Sequence, residues 1–303
     1  MPVTLPQLSR RKFLQRAALA GAAAALAPAS YAGLFGKSRD RHTFAFFSDT
    51  HIAADVSLKH GGVNMAESLA ASVRELAAWP VNPAAVIVNG DLAFKNGLPV
   101  DYAAFGNLIE PLRALAPVQL SLGNHDEREN FWSAFPHDAT EPSRTFHRQA
   151  VVLASDRANW FLLDSLDATN HTPGEIGAAQ LAWLSRELET RPEKPAIIVA
   201  HHNLDTTSDI LGLKDSAALT ELFNRHRQVK AFVFGHTHNW HVETHATGVQ
   251  LINLPPTGYV FKAGRPSGWV RCTLARDGAE FELRSLDATH PEHAKVQRLD
   301  WRA

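Results

Sequence analysis

The sequence holds a single cysteine, Cys272, among 303 residues. No intrachain disulfide can form, so stability must come from the core. No apolar run approaches the ~20 residues that a membrane-spanning helix needs. Base does not exceed acid, with 30 Lys and Arg against 31 Asp and Glu, which speaks against a basic nucleic-acid surface. There is no internal repeat, no low-complexity tract and no break in composition that would separate a second domain. Past the first three dozen residues, the length suits one large α/β domain with a sizeable core.

Those first residues read as an address. Ser9-Arg10-Arg11-Lys12-Phe13-Leu14-Gln15 sets a basic pair before the apolar stretch Ala17 to Ala27, and the small-residue sites Ala27-Pro28-Ala29 and Ser30-Tyr31-Ala32 follow. The order of charged, apolar and cleavable segments resembles a twin-arginine export signal over residues 1–32; the competing reading is a short amphipathic helix or an uncleaved anchor. The resemblance implies the twin-arginine translocation machinery as a partner and a periplasmic or secreted destination. Cleavage after Ala32 removes Arg10, Arg11, Lys12 and Arg16 but no acid from a chain whose net charge is already −1. An acidic mature protein is expected, with no nucleic-acid partner and no transmembrane helix. Residues 33–42 would be a short linker and 43–303 a single domain, β-rich from about 248.

From Phe44 onward strand-like and helix-like segments alternate, the pattern of an α/β fold. Helices are expected from Met65 to Trp79, from an N-cap at Asp101, around Leu181, Leu184 and Leu188, and from near Asp215. Between them lie short β-prone runs at Ala85 to Val88, Val118 to Leu122, Val151 to Ala154, Trp160 to Leu163, Ala196 to Ala200 and Ala231 to Phe234. Beyond Gly248 only strands are expected, at Val249 to Asn253, Trp269 to Leu274 and Phe281 to Arg284, closing the fold as an antiparallel sheet.

The chemistry sits where strands end. Phe44 to Phe47 runs into Ser48-Asp49-Thr50-His51, and if the backbone stays extended Asp49 and His51 project to one side. Alone this is weak: Asp-x-His is expected roughly 0.8 times by chance here, and Asp40-Arg41-His42 is such a decoy. Four more runs end similarly, in Asn89-Gly90-Asp91, Gly123-Asn124-His125-Asp126, His201-His202 and Gly235-His236-Thr237-His238. Open α/β sheets bind ligands outside the carboxyl ends of their strands, so one topology delivers all five clusters to one place. Gly-Asn-His-Asp is expected by chance only about 0.002 times. Oxygen and nitrogen donors without thiolate suit divalent Fe, Mn, Zn or Co.

Together these motifs resemble those of the calcineurin-like metallophosphoesterase superfamily, in its order, from Phe44 to about Pro256. Leu163-Asp164-Ser165 with Gly174-Glu175-Ile176-Gly177, Gln180-Leu181 and Trp183-Leu184 is similar to the branch of bacterial cyclic-nucleotide and glycerophosphodiester phosphodiesterases. The resemblance implies a two-sheet αββα sandwich with two divalent metal ions at the carboxyl ends of the strands. Asp49, His51, Asp91 and His238 would hold one; Asp91, Asn124, His201 and His236 the other, with Asp91 bridging. A metal-bound hydroxide would attack phosphorus, His125 would act as general acid, and Asp126 would orient its imidazole.

Each residue has a plainer reading: Asp91 a turn residue, Asn124 a helix cap, His201 or His202 a core histidine, His236 and His238 a surface turn. His202 stays open between a neighbour of the site and a substrate contact. His241 lies close enough in sequence to touch a substrate, and Trp240, Tyr259 and Phe261 are either pocket wall or core. Two departures from the family matter. Asn203-Leu204 follows the twin histidines where many phosphodiesterases of the branch carry proline. Phe94 stands where purple acid phosphatases carry a tyrosine, which implies a colourless protein. The expected function is exported hydrolysis of a small phosphoester, a diester first and a monoester second; the reading from another class is a metal-binding scaffold without catalysis.

Overall fold

All six residues of Thr43–Ser48 are buried. A strand with one face in water would alternate, so this one must be covered on both sides. The computed structural model describes residues 37–137, 147–205 and 210–303. The export-signal segment 1–32 and residues 206–209, which fall within the polar stretch Asp205-Thr206-Thr207-Ser208-Asp209 after the twin histidines, lie outside these.

The described chain runs through β1 (Thr43–Ser48), the hairpin β2 (Lys59–His60) and β3 (Val63–Asn64), α1 (Met65–Ala78), β4 (Ala85–Asn89), α2 (Pro99–Leu115), β5 (Val118–Ser121) and α3 (Arg128–Ala134). It continues with β6 (Val151–Ala154), β7 (Asn159–Leu162), α4 (Ala178–Glu189), β8 (Ala196–Val199), α5 (Ser216–Arg225) and β9 (Val229–Phe234). The last part is β10 (His241–Thr244), β11 (Gln250–Asn253), β12 (Gly268–Leu274), β13 (Gly278–Ser285) and β14 (Val296–Asp300).

Two six-stranded sheets result, in the orders β14-β13-β12-β1-β4-β5 and β10-β11-β9-β8-β7-β6. The inward faces meet in an apolar layer built on Phe44, Phe46, Ile87, Trp160, Val199 and Val233. Trp160 is its wedge, with ring centroids 4.5 Å from Phe44 and 5.6 Å from Phe46. The alternate residues Ala45 and Phe47 pack outward among α1 and α2, while Phe161, Ile198 and Phe232 pack among α4 and α5 on the other side. This is the αββα sandwich that the resemblance implied.

Three expectations are corrected. The segment after Gly248 does not form a closing sheet of its own. The fully buried β11 pairs parallel to β9 in the second sheet, and β12 to β14 extend the first sheet beyond β1, each antiparallel to its neighbour. The second long helix starts at Pro99, whose fixed φ suits a first helical position, with Leu98 as N-cap. Asp101 lies inside the first turn, and its Oδ1 accepts from Ala54 N at 2.7 Å. Packing also begins before residue 43, since Asp40 N donates to Asn82 O at 2.8 Å and its carboxylate accepts from His42 N and Thr43 Oγ1. The decoy triplet is therefore an edge turn.

β1, β4 and β5 run parallel, as do β7, β8, β9 and β11. The carboxyl ends of β1, β4, β5, β8 and β9 carry the five clusters to one seam between the sheets. Among the described residues no helix is long and apolar enough to cross a membrane.

Candidate active site

Beyond Ser48 the backbone does not stay extended. Asp49 (φ 52°) and His51 (φ 50°) adopt the left-handed region, as do Asp91 (49°), His236 (65°) and His238 (50°). Tight turns, and not strand alternation, therefore bring Asp49 and His51 together. Aspartate and histidine enter this region more readily than most residues, yet each still costs about 1 kcal/mol, and such strain gathers at functional sites. The turns are pinned in register: Asp49 N donates to Gly90 O at 3.1 Å, His51 N to Asp91 O at 2.9 Å and Gly235 N to His201 O at 2.9 Å.

The glycines in these motifs are steric requirements. A Cβ at Gly123 would overlap Asp91 Oδ1, one at Gly235 would overlap Ser48 Oγ and Asp49 Oδ2, and one at Gly90 would press into the His201 ring.

Asp49, His51, Asp91 and His238 form one group able to hold a metal ion, and Asp91, His201 and His236 form a second; within each group the ligand atoms lie within 4.8 Å of one another. Asp91 belongs to both. Its Oδ1 accepts from His125 N at 2.8 Å, so Oδ2 is the shared oxygen, 3.7 Å from His51 Nε2 and 3.3 Å from His201 Nε2. Asp49 Oδ1 stands 3.3 Å from His238 Nε2. The expected eighth contact, Asn124 Oδ1, is buried without a hydrogen-bond partner.

Each of five imidazoles is oriented by a backbone carbonyl. His51 Nδ1 faces Phe94 O at 3.4 Å, His125 Nδ1 faces Lys95 O at 3.0 Å, His201 Nδ1 faces Asn89 O at 3.0 Å and His238 Nδ1 faces Tyr259 O at 2.5 Å. His236 is turned the other way, with Nε2 against Leu211 O at 3.2 Å. A carbonyl only accepts, so these nitrogens carry the protons. The lone pairs of the opposite nitrogens then point inward, and His51 Nε2 and His238 Nε2 face each other at 3.0 Å. Two lone pairs at that separation, beside orphaned Asn124 Oδ1 and His201 Nε2, fit divalent cations.

The electrostatics agree. Burial opposes the charge on Asp49, but His201 and His238 outweigh it and hold the carboxyl at about 2. Burial likewise opposes Asp91, which His201 and His51 hold well below the usual carboxylate range. Burial lowers His51 to about 3 and, with His201, lowers His236 to about 4. Burial works against protonated His201 too, yet Asp91 and Asp49 raise it to about 10. Without a cation, a proton on His201 is what compensates the two carboxylates.

His125 sits at the edge, half-buried, with its ring centroid 5.3 Å from that of His51. Its Nδ1 is taken by Lys95 O, so Nε2 is the atom free to exchange a proton. Asp126 does not orient that imidazole, which is a correction. Its carboxylate accepts from the amides of Leu92, Ala93 and Gly123 and from Tyr102 Oη at 3.1 Å. It ties the loops after β4 and β5 together instead. Burial, with Asp91 nearby, raises its pKa to about 6.

His202 is fully buried with Nδ1 2.8 Å from Ser165 Oγ, a neighbour of the site. Trp240 belongs to the inter-sheet core, whereas Tyr259 and Phe261 pack on the site's histidines. Tyr259 lies 4.9 Å from His51, and Phe261 stacks on His238 at 3.9 Å. Burial, followed by Asp91 and Asp49, raises the Tyr259 phenol. Asn203 holds the rim by donating from Nδ2 to the carbonyls of Leu204 and Ile210 at 2.8 and 3.2 Å. Sequence reasoning also missed Ser48, whose Oγ lies 2.5 Å from Asp49 Oδ2 and 2.9 Å from Asn89 O, with one hydroxyl proton to give to either. It missed the Arg128–Asp164 pair, at 2.7 Å and 3.1 Å, which fastens α3 beneath the site.

Residues 42–240 match the calcineurin-like phosphoesterase family. The chain belongs to that family. It is a metal-dependent hydrolase of phosphoric esters. This phosphoesterase is 30% identical over 250 residues to a cAMP/cGMP dual specificity phosphodiesterase of Mycobacterium tuberculosis, covering 80% of this chain and 74% of that one. It is 28% identical over 264 residues to a 3′,5′-cyclic-nucleotide phosphodiesterase of a Nostoc species, covering 86% and 93%. Among solved structures, a dimetal phosphatase from Danio rerio shares the fold with a TM-score of 0.65 at 15% identity, over 86% of this chain and 99% of that one.

Gly123→Ala is expected to lose most of the bound metal with secondary structure unchanged, read by elemental analysis and circular dichroism. A full metal complement in the variant would contradict the tight approach of Gly123 to Asp91.

Proposed function

We propose that this phosphoesterase is exported and hydrolyses small organic phosphodiesters, cyclic nucleotides among them, with two divalent ions held at the seam. The observation that carries this reading is Asp91 Oδ2, shared between two groups of inward-facing imidazoles, with His125 Nε2 left free beside them. In this reading Asp49, His51, Asp91 and His238 hold one ion, and Asp91, Asn124, His201 and His236 hold the other. Fe, Mn, Zn and Co all suit the donors. Bound ions supply Lewis acidity and a clamp for in-line displacement at phosphorus.

The chain's own groups do the rest. In its doubly protonated form His125 donates a proton from Nε2 to the departing ester oxygen and keeps its Nδ1–H on the Lys95 carbonyl, which orients the ring. Its backbone N–H keeps Asp91 Oδ1 occupied, so that Oδ2 is the oxygen that would be left for metal. Asp126 acts as a positioning residue, fixing the turn that carries Asn124 and His125. The diester is preferred over the monoester because the relatives from Mycobacterium tuberculosis and Nostoc are cyclic-nucleotide phosphodiesterases. Export rests on Arg10-Arg11 with the apolar and small-residue stretches that follow.

With metal restored to chelator-stripped protein, bis(p-nitrophenyl) phosphate is expected to turn over faster than p-nitrophenyl phosphate. His125→Ala should lower diester kcat by about 10²-fold or more, the usual range for a general acid, with metal content unchanged. Faster monoester turnover would make this a phosphatase, and none with any metal would favour the scaffold. For export, the double replacement Arg10→Lys with Arg11→Lys should leave the precursor in the cytoplasmic fraction; undiminished export would remove the twin-arginine reading.

A further inference from the structure

Beside His238, at the ends of β9 and β11, lies a cavity of about 350 Å³. Phe234 and Leu251 give it an apolar lining, and Asn239 and Asn253 give it amides. Asn253 is only 7% exposed. Its Nδ2 donates to Thr237 Oγ1 at 2.5 Å, which fixes the amide and leaves Oδ1 buried with no hydrogen-bond partner. Asn239 Oδ1 is buried and unpartnered as well. Both residues line the cavity, and a buried acceptor left without a donor is unfavourable.

Phe261 lines the same cavity, 53% exposed, with its ring stacked on the His238 imidazole at an interplanar angle of 8°. Lys262 and Arg265, also lining it, have no side-chain ion pair or hydrogen bond among the described residues. They supply positive potential for an anionic ester. His241 lines the cavity too, its Nε2 3.7 Å from Glu243 Oε2.

Resting on the phosphodiesterase reading above, we propose that this cavity binds the nucleobase of a nucleoside phosphodiester. Asn239 and Asn253 accept hydrogen bonds from the base N–H groups, and Phe261 offers its ring for stacking. The volume lies at the small end of the ~300–1,000 Å³ usual for ligand pockets, suited to one flat heterocycle. A glycerol head group would leave the aromatic surface unused, and Lys262 and Arg265 would repel the cationic head of a choline ester. Asn239, Asn253 and Phe261 therefore select substrates and take no part in bond cleavage.

The test compares adenosine 3′,5′-cyclic phosphate with base-free 1-methoxyribose 3′,5′-cyclic phosphate, followed by phosphorus NMR on metal-loaded protein. The two share phosphorus, ring and leaving oxygen and differ in the base. Wild type is expected to favour the base-bearing ester in kcat/KM by about tenfold or more, the range that base stacking on one aromatic ring supplies. Phe261→Ala and Asn239→Ala should each bring that ratio close to one, and Val296→Ala, on a distant edge strand, should leave it unchanged. Asn253 is not varied, because it also braces Thr237 between His236 and His238. Saturation-transfer NMR with adenosine on metal-stripped protein should show contact to the base protons in wild type and lose it in Phe261→Ala.

Equal turnover of the two cyclic esters by wild type, or an unchanged ratio in both variants, would overturn the base pocket and leave the phosphodiesterase reading intact. So would no turnover of either cyclic ester while bis(p-nitrophenyl) phosphate is cleaved. Failure on all three diesters would overturn both.

Discussion

The structure depends on burying two carboxylates, Asp49 and Asp91, side by side at the seam of two sheets. Isolated charges in such a place would cost several kcal/mol each, and nothing apolar could compensate them. The fold therefore surrounds them with imidazoles, sends backbone amides to their outer oxygens, and leaves the inner oxygens for cations. His236 N reaches Asp49 Oδ2 at 3.2 Å, and His125 N reaches Asp91 Oδ1 at 2.8 Å. The left-handed turns after β1, β4 and β9, the glycines without room for a Cβ, and the cross-sheet bond from Asn89 Nδ2 to Ala200 O at 3.0 Å all follow from that crowding.

Much of this was legible in the sequence because strands covered on both faces are uninterruptedly apolar, so their ends are marked by the first polar residues. Phe44 to Phe47 and Ala231 to Phe234 end visibly, and the metal-capable side chains stand where they end. The conformation of those ends was not legible, because left-handed Asp and His carry no signal of their own. Nor were the partners of the imidazoles. Phe94, Lys95, Asn89, Leu211 and Tyr259 contribute carbonyl oxygens, and every residue type has one. The reading of Asp126 failed for a related reason: adjacency to His125 suggested a pair, but a fully buried carboxylate goes where amides and a phenol can satisfy it.

The edges of the sheets were the hardest part. β10 is largely exposed and β14 alternates weakly, so neither looked like a strand, and pairing between distant segments decides which sheet each joins. The same C-terminal region supplies Tyr259 and Phe261 to the site and Asn253 to the adjoining cavity. Turns at strand ends thus place the metal-capable side chains, whereas Tyr259 and Phe261, which pack on the site's histidines, come from the segment between β11 and β12.

The most direct test of the shared site is anomalous diffraction from crystals of the protein soaked with manganese. Two peaks at the seam, about 3.5 to 4 Å apart and joined through Asp91 Oδ2, are predicted. A single peak, or two peaks with Asp91 contacting only one, would contradict a centre organised around one shared oxygen.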